Sequence, residues 1–139
     1  ELIGLVYNVY YKDIIYISYL AIDDTKRGAG YGGRILQTIQ KKYSDSRIFL
    51  CIEEMDPNAE NYEQRVRRKA FYESNGFKML PFQVKEGIVM YDAMCVADRE
   101  PEITRKECDE LMKHYFGIWT FVIYVKKYTD KIVELFEKK

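Results

Sequence analysis

Residues 22–33 read IDDTKRGAGYGG and decide the fold, because they place four glycines within six residues between two segments of different periodicity. The segment before them, 14–22, is apolar, β-branched and aromatic, which is typical of a strand. The segment after them has apolar side chains at helical spacing, namely Ile35, Leu36, Ile39 and Tyr43. The glycine cluster therefore joins a strand to a helix that begins on glycines.

A strand-to-helix turn built from glycines is suited to binding phosphate. Glycine has no Cβ, so its backbone can approach a ligand closely. The first N–H groups of a helix have no partner within the helix and lie at the positive end of its dipole. Residues 28–33 therefore predict a site for a phosphate-bearing cofactor, and a tight turn used only for its shape is the alternative.

The rest of the chain alternates between strand and helix patterns. Residues 3–10 and 14–22 flank a short polar turn and predict a β-hairpin. Residues 48–52 form a short apolar run that predicts a buried strand. Two further strands are expected over 77–80 and 88–96, with Pro81 and Gly87 bounding the link between them.

Three more helices are expected. Tyr62, Val66 and Ala70 fall four apart and mark the apolar face of the first, which Asn75-Gly76 ends. The second covers 104–116 and begins with Thr104 and Glu107 at capping-box spacing. The third, over 118–136, is amphipathic. The predicted order is β-β-α-β-α-β-β-α-α, a single α/β domain over residues 1–139.

The composition is that of a globular domain. The 22 basic side chains balance 22 acidic ones, which argues against a broad basic face for nucleic acid. The longest apolar segment, 118–125, is shorter than the roughly 18 residues that cross a bilayer, so no membrane partner is expected. The 3 cysteines share no C-x-x-C spacing and there is 1 histidine. We therefore expect no metal site and a cytoplasmic location.

One alternative follows from the glycines. Gly28, Gly30 and Gly33 satisfy the dinucleotide fingerprint G-x-G-x-x-G, and Glu53 follows at the distance of a ribose-binding acid. This alternative would make the protein a nicotinamide-dinucleotide oxidoreductase. One observation against it is that residues 23–27 separate the glycines from their strand. The chain also lacks the later β-α-β units of such a domain.

Two motifs resemble the GCN5-related N-acetyltransferase (GNAT) family. Residues 22–32 resemble its motif A, with Arg27, Gly30 and Gly32 in the fixed places of R/Q-x-x-G-x-G/A. Residues 70–77, AFYESNGF, resemble its second signature, a helix that ends in F-Y-x-x-x-G-F. The two motifs occur in the family's order with a strand between them, and the resemblance covers residues 4–96.

The resemblance implies a mixed, largely antiparallel sheet with a central splay, flanked by helices. The splay would open between the strand before motif A and the strand over 48–53, and acetyl-CoA would lie in it. The pantetheine would pair with the backbone of Leu20, Ala21 and Ile22. The pyrophosphate would take hydrogen bonds from N–H groups of Arg27, Gly28, Ala29, Gly30, Tyr31, Gly32 and Gly33.

The resemblance also implies direct acetyl transfer in a ternary complex, without a metal or a covalent enzyme intermediate. Tyr72 matches the tyrosine that protonates the departing thiolate, and a buried structural aromatic is the alternative. The attacking amine needs a base or a water relay. Of Glu53 and Glu54 we favour Glu53, because it continues the alternation of Phe49 and Cys51, with a solvated strand-end acid as the alternative.

The chain departs from the family pattern in three places. Arg65 and Arg68 replace the usual Asn and Ala, and this basic helix would reach CoA phosphates, reach an acidic acceptor, or be only a solvated face. The family's first strand and two helices would lie before Glu1. The extension over 104–139 would cover the sheet, replace missing packing or form a homodimer interface.

The expected partner is an amine acceptor, either a small molecule or a peptide amine. Two rival functions are kept, an NAD-type oxidoreductase and a non-catalytic CoA-binding domain of the same fold.

Overall fold

The sheet combines two hairpins with one central strand, in a computed structural model that describes residues 3–86 and 88–117. The strands are β1 (Gly4–Tyr11), β2 (Ile14–Ile22), β3 (Arg47–Glu53), β4 (Phe77–Glu86) and β5 (Val89–Val96). The helices are α1 (Tyr31–Lys42), α2 (Tyr62–Ser74) and α3 (105–117). This order confirms the predicted one through its eighth element. The ninth, the helix over 118–136, lies outside the described residues, as does Gly87.

The five strands lie in the order β1-β2-β3-β5-β4 and form a mixed, largely antiparallel sheet. Among the strand pairs of the described residues, β2–β3 alone is parallel, and its pairing joins Ile14–Ile17 to Arg47–Leu50 and then stops. The β1–β2 ladder shifts register between Tyr7 and Asn8, which pair with Tyr19 and Ile17. This irregularity lies where β2 and β3 part, and bulges of this kind bend a strand. The predicted splay is therefore confirmed.

Two apolar clusters pack on the two faces of the sheet. Side chains of α1 and α2, including Leu36, Ile39 and Phe71, pack on one face against Ile15 and Leu50. Side chains from residues 103–116 pack on the other face, in the cluster that contains Tyr16 and Phe49. The start of the C-terminal extension thus covers the sheet, which is one of the roles predicted for it.

Strand β4 is longer than the sequence predicts. It was expected to end at Leu80, before Pro81, but it continues through Pro81 to Glu86. Proline lacks an N–H, so it is tolerated in a strand only at an edge or a bulge. β4 is an edge strand, and its ladder with β5 is irregular between Met79 and Gln83. Pro81 therefore lies where the ladder needs no donor from it.

Helix α2 is rotated relative to the predicted apolar face. Val66 is 40% exposed and Ala70 is also exposed, whereas Phe71 and Tyr72 contact the core. Five residues of α-helix turn through about 140° beyond one full turn, so Val66 points away from the side of the helix on which Phe71 contacts the core. The spacing of Tyr62, Val66 and Ala70 predicted the helix correctly and its buried side wrongly.

The capping box of α3 is confirmed and is joined to a buried arginine. The backbone N–H of Thr104 donates to Glu107 Oε2 at 2.9 Å, and that of Glu107 donates to Thr104 Oγ1 at 3.3 Å. Arg47 is 7% exposed, and its Nη2 donates to Glu107 Oε1 at 2.7 Å. Its Nε donates to Asp13 Oδ2, also at 2.7 Å. Arg47 thus holds the β1–β2 turn, the start of β3 and the first turn of α3 together.

We predict that Arg47→Met lowers the free energy of unfolding at pH 7 by about 2 kcal/mol, because both carboxylates lose their cation while staying partly solvated. Hydrogen bonds from Arg47 hold the pKa of Glu107 at about 2, below its usual 4.5. Stability from a lowered pKa is present above the unfolded value and is lost as pH falls through the folded one. Denaturant titrations between pH 7 and about 2 should therefore show that the difference in free energy of unfolding between wild type and variant shrinks as the pH falls.

The matched control is Arg105→Met, which removes an exposed arginine from the start of α3. Arg105→Met should leave the pH dependence of the free energy of unfolding unchanged. A gap between wild type and Arg47→Met that is the same at every pH would contradict the role given to the ion pairs.

Candidate functional site

The divergence of β2 from β3 opens a cleft of about 740 Å³ between the end of β2, the glycine turn and α2. Tyr72 lines it, together with nine of the ten predicted cofactor-binding residues: Leu20, Ala21, Ile22, Arg27, Gly28, Gly30, Tyr31, Gly32 and Gly33. Ala29 lies in the same turn and is not part of the lining. The structure thus brings two separate sequence motifs to one cavity.

The wall formed by β2 carries an open backbone edge. Leu20, Ala21 and Ile22 pair with β1 on one side, while pairing with β3 has ended at Ile17. An extended ligand can add to such an edge through backbone hydrogen bonds. This wall therefore suits a linear molecule that carries amide groups.

The opposite end of the cleft is the start of α1. Gly30 is its N-cap, with φ of 79°, and no side chain caps the helix. Gly28 also has a positive φ, 82°, and open space surrounds both glycines. A backbone turn of this shape leaves the first N–H groups of α1 to bind an anion.

The next two glycines have a packing role that the sequence analysis missed. A Cβ on Gly32 would lie 3.0 Å from Phe71 Cζ, and one on Gly33 would lie 3.0 Å from Asn75 Oδ1. These glycines let the start of α1 approach the last turn of α2 closely. The third glycine of the dinucleotide fingerprint has a similar role in close helix packing, so the match of Gly33 to that position could have predicted this role.

Tyr72 lies against other rings at the inner wall of the cleft. Its ring centroid is 5.3 Å from that of Phe71 and 5.8 Å from that of Phe77. Burial raises the pKa of the Tyr72 phenol, and the nearby charge of Arg68 opposes this rise. The phenol therefore keeps its proton at neutral pH and can donate it.

Glu53 lies at the end of β3, in a small groove beside the cleft. Its Oε2 accepts a hydrogen bond from Asn61 Nδ2 at 2.8 Å and lies 2.8 Å from Arg65 Nε. Gln64 and Arg68 line both the groove and the cleft, so the two cavities are neighbours. The structure thus brings Glu53 near the site of Tyr72 and pairs its carboxylate with a cation.

Several residues that line the cleft were not predicted as site residues: Tyr19, Lys26, Gln64, Arg67, Arg68 and Phe71. The basic run over 65–69 was the signal for the two arginines. The sequence alone does not show which residues of this run line the cleft, because a charged run gives no information about which of its members face a cavity.

Residues 3–86 and 88–117 contain no group of three or more His, Cys, Asp or Glu side chains that could hold a metal ion. In the same part of the chain, no helix is both long and apolar enough to cross a membrane.

Comparison with known proteins points to one family. A family model described as an acetyltransferase (GNAT) domain matches residues 1–79. No curated protein matches the chain. Among solved structures, a protein assigned to the GNAT acetyltransferases from Bacteroides thetaiotaomicron has a TM-score of 0.59 and 24% identity, over 81% of this chain. The match spans 62% of the length of that protein.

Two other similar structures contain CoA. An aminoglycoside 6'-N-acetyltransferase complexed with coenzyme A has a TM-score of 0.53 and 17% identity, over 73% of this chain and 70% of that one. A Bacillus subtilis acetyltransferase in complex with CoA has a TM-score of 0.50 and 12% identity, over 69% of each chain. At these identities the structural likeness shows a shared fold.

Proposed function

The chain belongs to the GNAT family of acetyltransferases, and from that premise we propose that it transfers an acetyl group from acetyl-CoA to a primary amine. The observation that carries the proposal is the lining of one cleft by an open strand edge, an uncapped helix start and a protonated phenol. The strand edge suits the amide arm of an acetyl-CoA donor, the helix start suits its pyrophosphate, and the phenol suits the thiolate that leaves from its thioester.

The residues of the cleft would hold the donor in order along its length. The backbone of Leu20–Ile22 would bind the pantetheine arm, and the N–H groups over 27–33 would bind the pyrophosphate. Bound acetyl-CoA supplies an activated acyl group as a thioester. The remaining chemistry is orientation of that group and movement of two protons, which falls to side chains.

Tyr72 is proposed as the general acid. Attack by an amine on a thioester expels a thiolate, and a phenol with its proton in place can protonate that sulfur. Burial raises the pKa of Tyr72, which keeps the phenol in the donating form. The rings of Phe71 and Phe77 lie against its ring and would restrict its movement.

Glu53 is proposed as the proton acceptor for the amine. Arg65 and Asn61 both contact Oε2, and the other oxygen, Oε1, has no partner among the described residues. The pair therefore orients the carboxylate while leaving one oxygen for a proton or a bridging water. The acceptor is proposed to be a small-molecule or peptide amine, which would attack in its neutral form.

The family match favours this function over the dinucleotide-binding oxidoreductase. Its alignment spans the glycine turn and α2 together, whereas the dinucleotide fingerprint concerns the turn alone. A short 3₁₀ helix, Asp24–Lys26, also separates β2 from the glycines. A dinucleotide fingerprint follows its strand directly.

We predict that Gly30→Glu weakens acetyl-CoA binding by at least about 30-fold more than Gly30→Gln does. Both side chains impose the same strain at a φ of 79° and enter the same open space. Only glutamate places a negative charge beside the pyrophosphate, and like-charge contact of about 2 kcal/mol corresponds to this factor. Calorimetric titration of both variants measures the difference, and equal affinities would refute a phosphate site at this turn.

We predict that Tyr72→Phe lowers kcat by roughly 10²-fold, the loss expected for removal of a general acid. Phenylalanine keeps the packing against Phe71 and Phe77, so the dissociation constant for acetyl-CoA should change little. Steady-state kinetics with an amine found by screening, together with calorimetry, separates the two effects. Unchanged turnover would remove Tyr72 from the mechanism.

Glu53→Gln is the companion variant in the same assay. Glutamine keeps an oxygen for Arg65 and Asn61 but does not accept a proton at neutral pH. The activity of Glu53→Gln should fall at neutral pH and recover as the pH approaches the pKa of the free amine. Tyr72→Phe should show no such recovery. A wild-type protein that binds acetyl-CoA but acetylates no amine of a broad panel would instead support the non-catalytic rival.

A further inference from the structure

The basic run over 65–69 is divided by its contacts into paired and unpaired cations. Arg65 binds the Glu53 carboxylate and donates to the backbone oxygen of Glu54 at 2.7 Å. Lys69 Nζ lies 3.4 Å from the carboxylate of Glu73. Arg67 and Arg68 line the cleft and make no ion pair within residues 3–86 and 88–117. The two cations without carboxylate partners are therefore the two that face the cavity.

The cleft as a whole is cationic, although the chain has a net charge of zero. Its lining includes Arg67 and Arg68 on one wall and Lys26 and Arg27 on the other. No aspartate or glutamate is among the described residues that line it. The charge of Arg27 is partly neutralised, because its Nη2 lies 2.8 Å from Asp24. Within residues 3–86 and 88–117, no carboxylate is paired with the two arginines on the wall formed by α2.

The pyrophosphate alone does not account for this charge. Its two negative charges meet the start of α1, where backbone N–H groups and the helix dipole are directed at an anion. The contact of Gly32 with Phe71 places α2 against that helix start. Arg67 lies one helical turn before Phe71, so it shares the side of α2 that meets the glycine turn. The arginines are therefore positioned for a second anion near the first.

We propose that Arg67 and Arg68 bind the phosphomonoester of acetyl-CoA, its 3'-phosphate, and so select the complete donor over its dephosphorylated form. A phosphomonoester carries about −1.5 to −2 charges at pH 7 and offers three acceptor oxygens. Guanidinium groups match such oxygens with two parallel hydrogen bonds. This inference rests on the proposed function, because it assigns part of the same donor.

The test compares acetyl-CoA with acetyl-dephospho-CoA by calorimetry at one fixed ionic strength. Wild type should bind the dephospho form roughly ten- to a hundredfold more weakly, the loss of one or two charged hydrogen bonds. The double variant Arg67→Gln/Arg68→Gln should bind acetyl-CoA as weakly as wild type binds the dephospho form. It should bind the dephospho form unchanged.

The control variant is Lys69→Gln/Arg105→Gln, which removes the same formal charge at positions that do not line the cleft. It should keep the wild-type preference for the complete donor. Thermal melts of both double variants establish that each is folded before binding is compared.

Each outcome decides a different claim. Equal binding of the two donors by wild type overturns the inference and leaves the proposed function intact. A preference that survives in the Arg67→Gln/Arg68→Gln variant overturns the role of these arginines. Normal acetyl-CoA binding by that variant, with a raised KM for an acidic peptide acceptor, also overturns it and assigns the pair to the acceptor. No binding of acetyl-CoA by wild type refutes the proposed function itself.

Discussion

The short parallel pairing between β2 and β3 is the constraint on which the rest of the site depends. Four residues of each strand pair, and beyond Ile17 and Leu50 the strands separate. An unpaired backbone edge inside a protein is costly unless a ligand or water satisfies it. The edge of β2 lines the cleft, where water or a ligand can reach its backbone groups, while β2 stays paired with β1 to its end and β3 stays paired with β5. The register irregularity at Tyr7 and Asn8 lies where the separation begins, which ties the opening to a local feature of the sheet.

Everything else in the site is arranged around that opening. Two glycines with positive φ shape the start of α1, and two more allow it to contact α2. With α1 and α2 in contact, Tyr72, Arg67 and Arg68 line the same cleft as the glycine turn. In the proposed function, backbone groups of the site would bind the phosphate and amide groups of the donor, and its side chains would transfer protons and bind charge. On the far side of the sheet, Arg47 and the capping box of α3 stabilise the frame without contributing to the cleft.

The features that the sequence predicted are those fixed by local chemistry. The glycine turn, the capping box of Thr104 and Glu107, and the order of elements each depend on residues close together in the chain. The errors arose where neighbours distant in sequence decide the outcome. Pro81 lies within a strand because that strand is at an edge, and α2 packs Phe71 rather than Val66 against the core because of the sheet it meets. Likewise, the pairing of Arg65 with Glu53 joins a helix to a strand, so no pattern within residues 65–69 could separate it from Arg67 and Arg68.

The most direct measurement is a pair of calorimetric titrations of the wild-type protein, one with acetyl-CoA and one with NAD. The opened sheet and the glycine turn together predict micromolar binding of acetyl-CoA and no response to NAD. Binding of NAD without binding of acetyl-CoA would contradict the account, because it would mean that the glycines act as a dinucleotide fingerprint and that the open edge of β2 has no part in recognition.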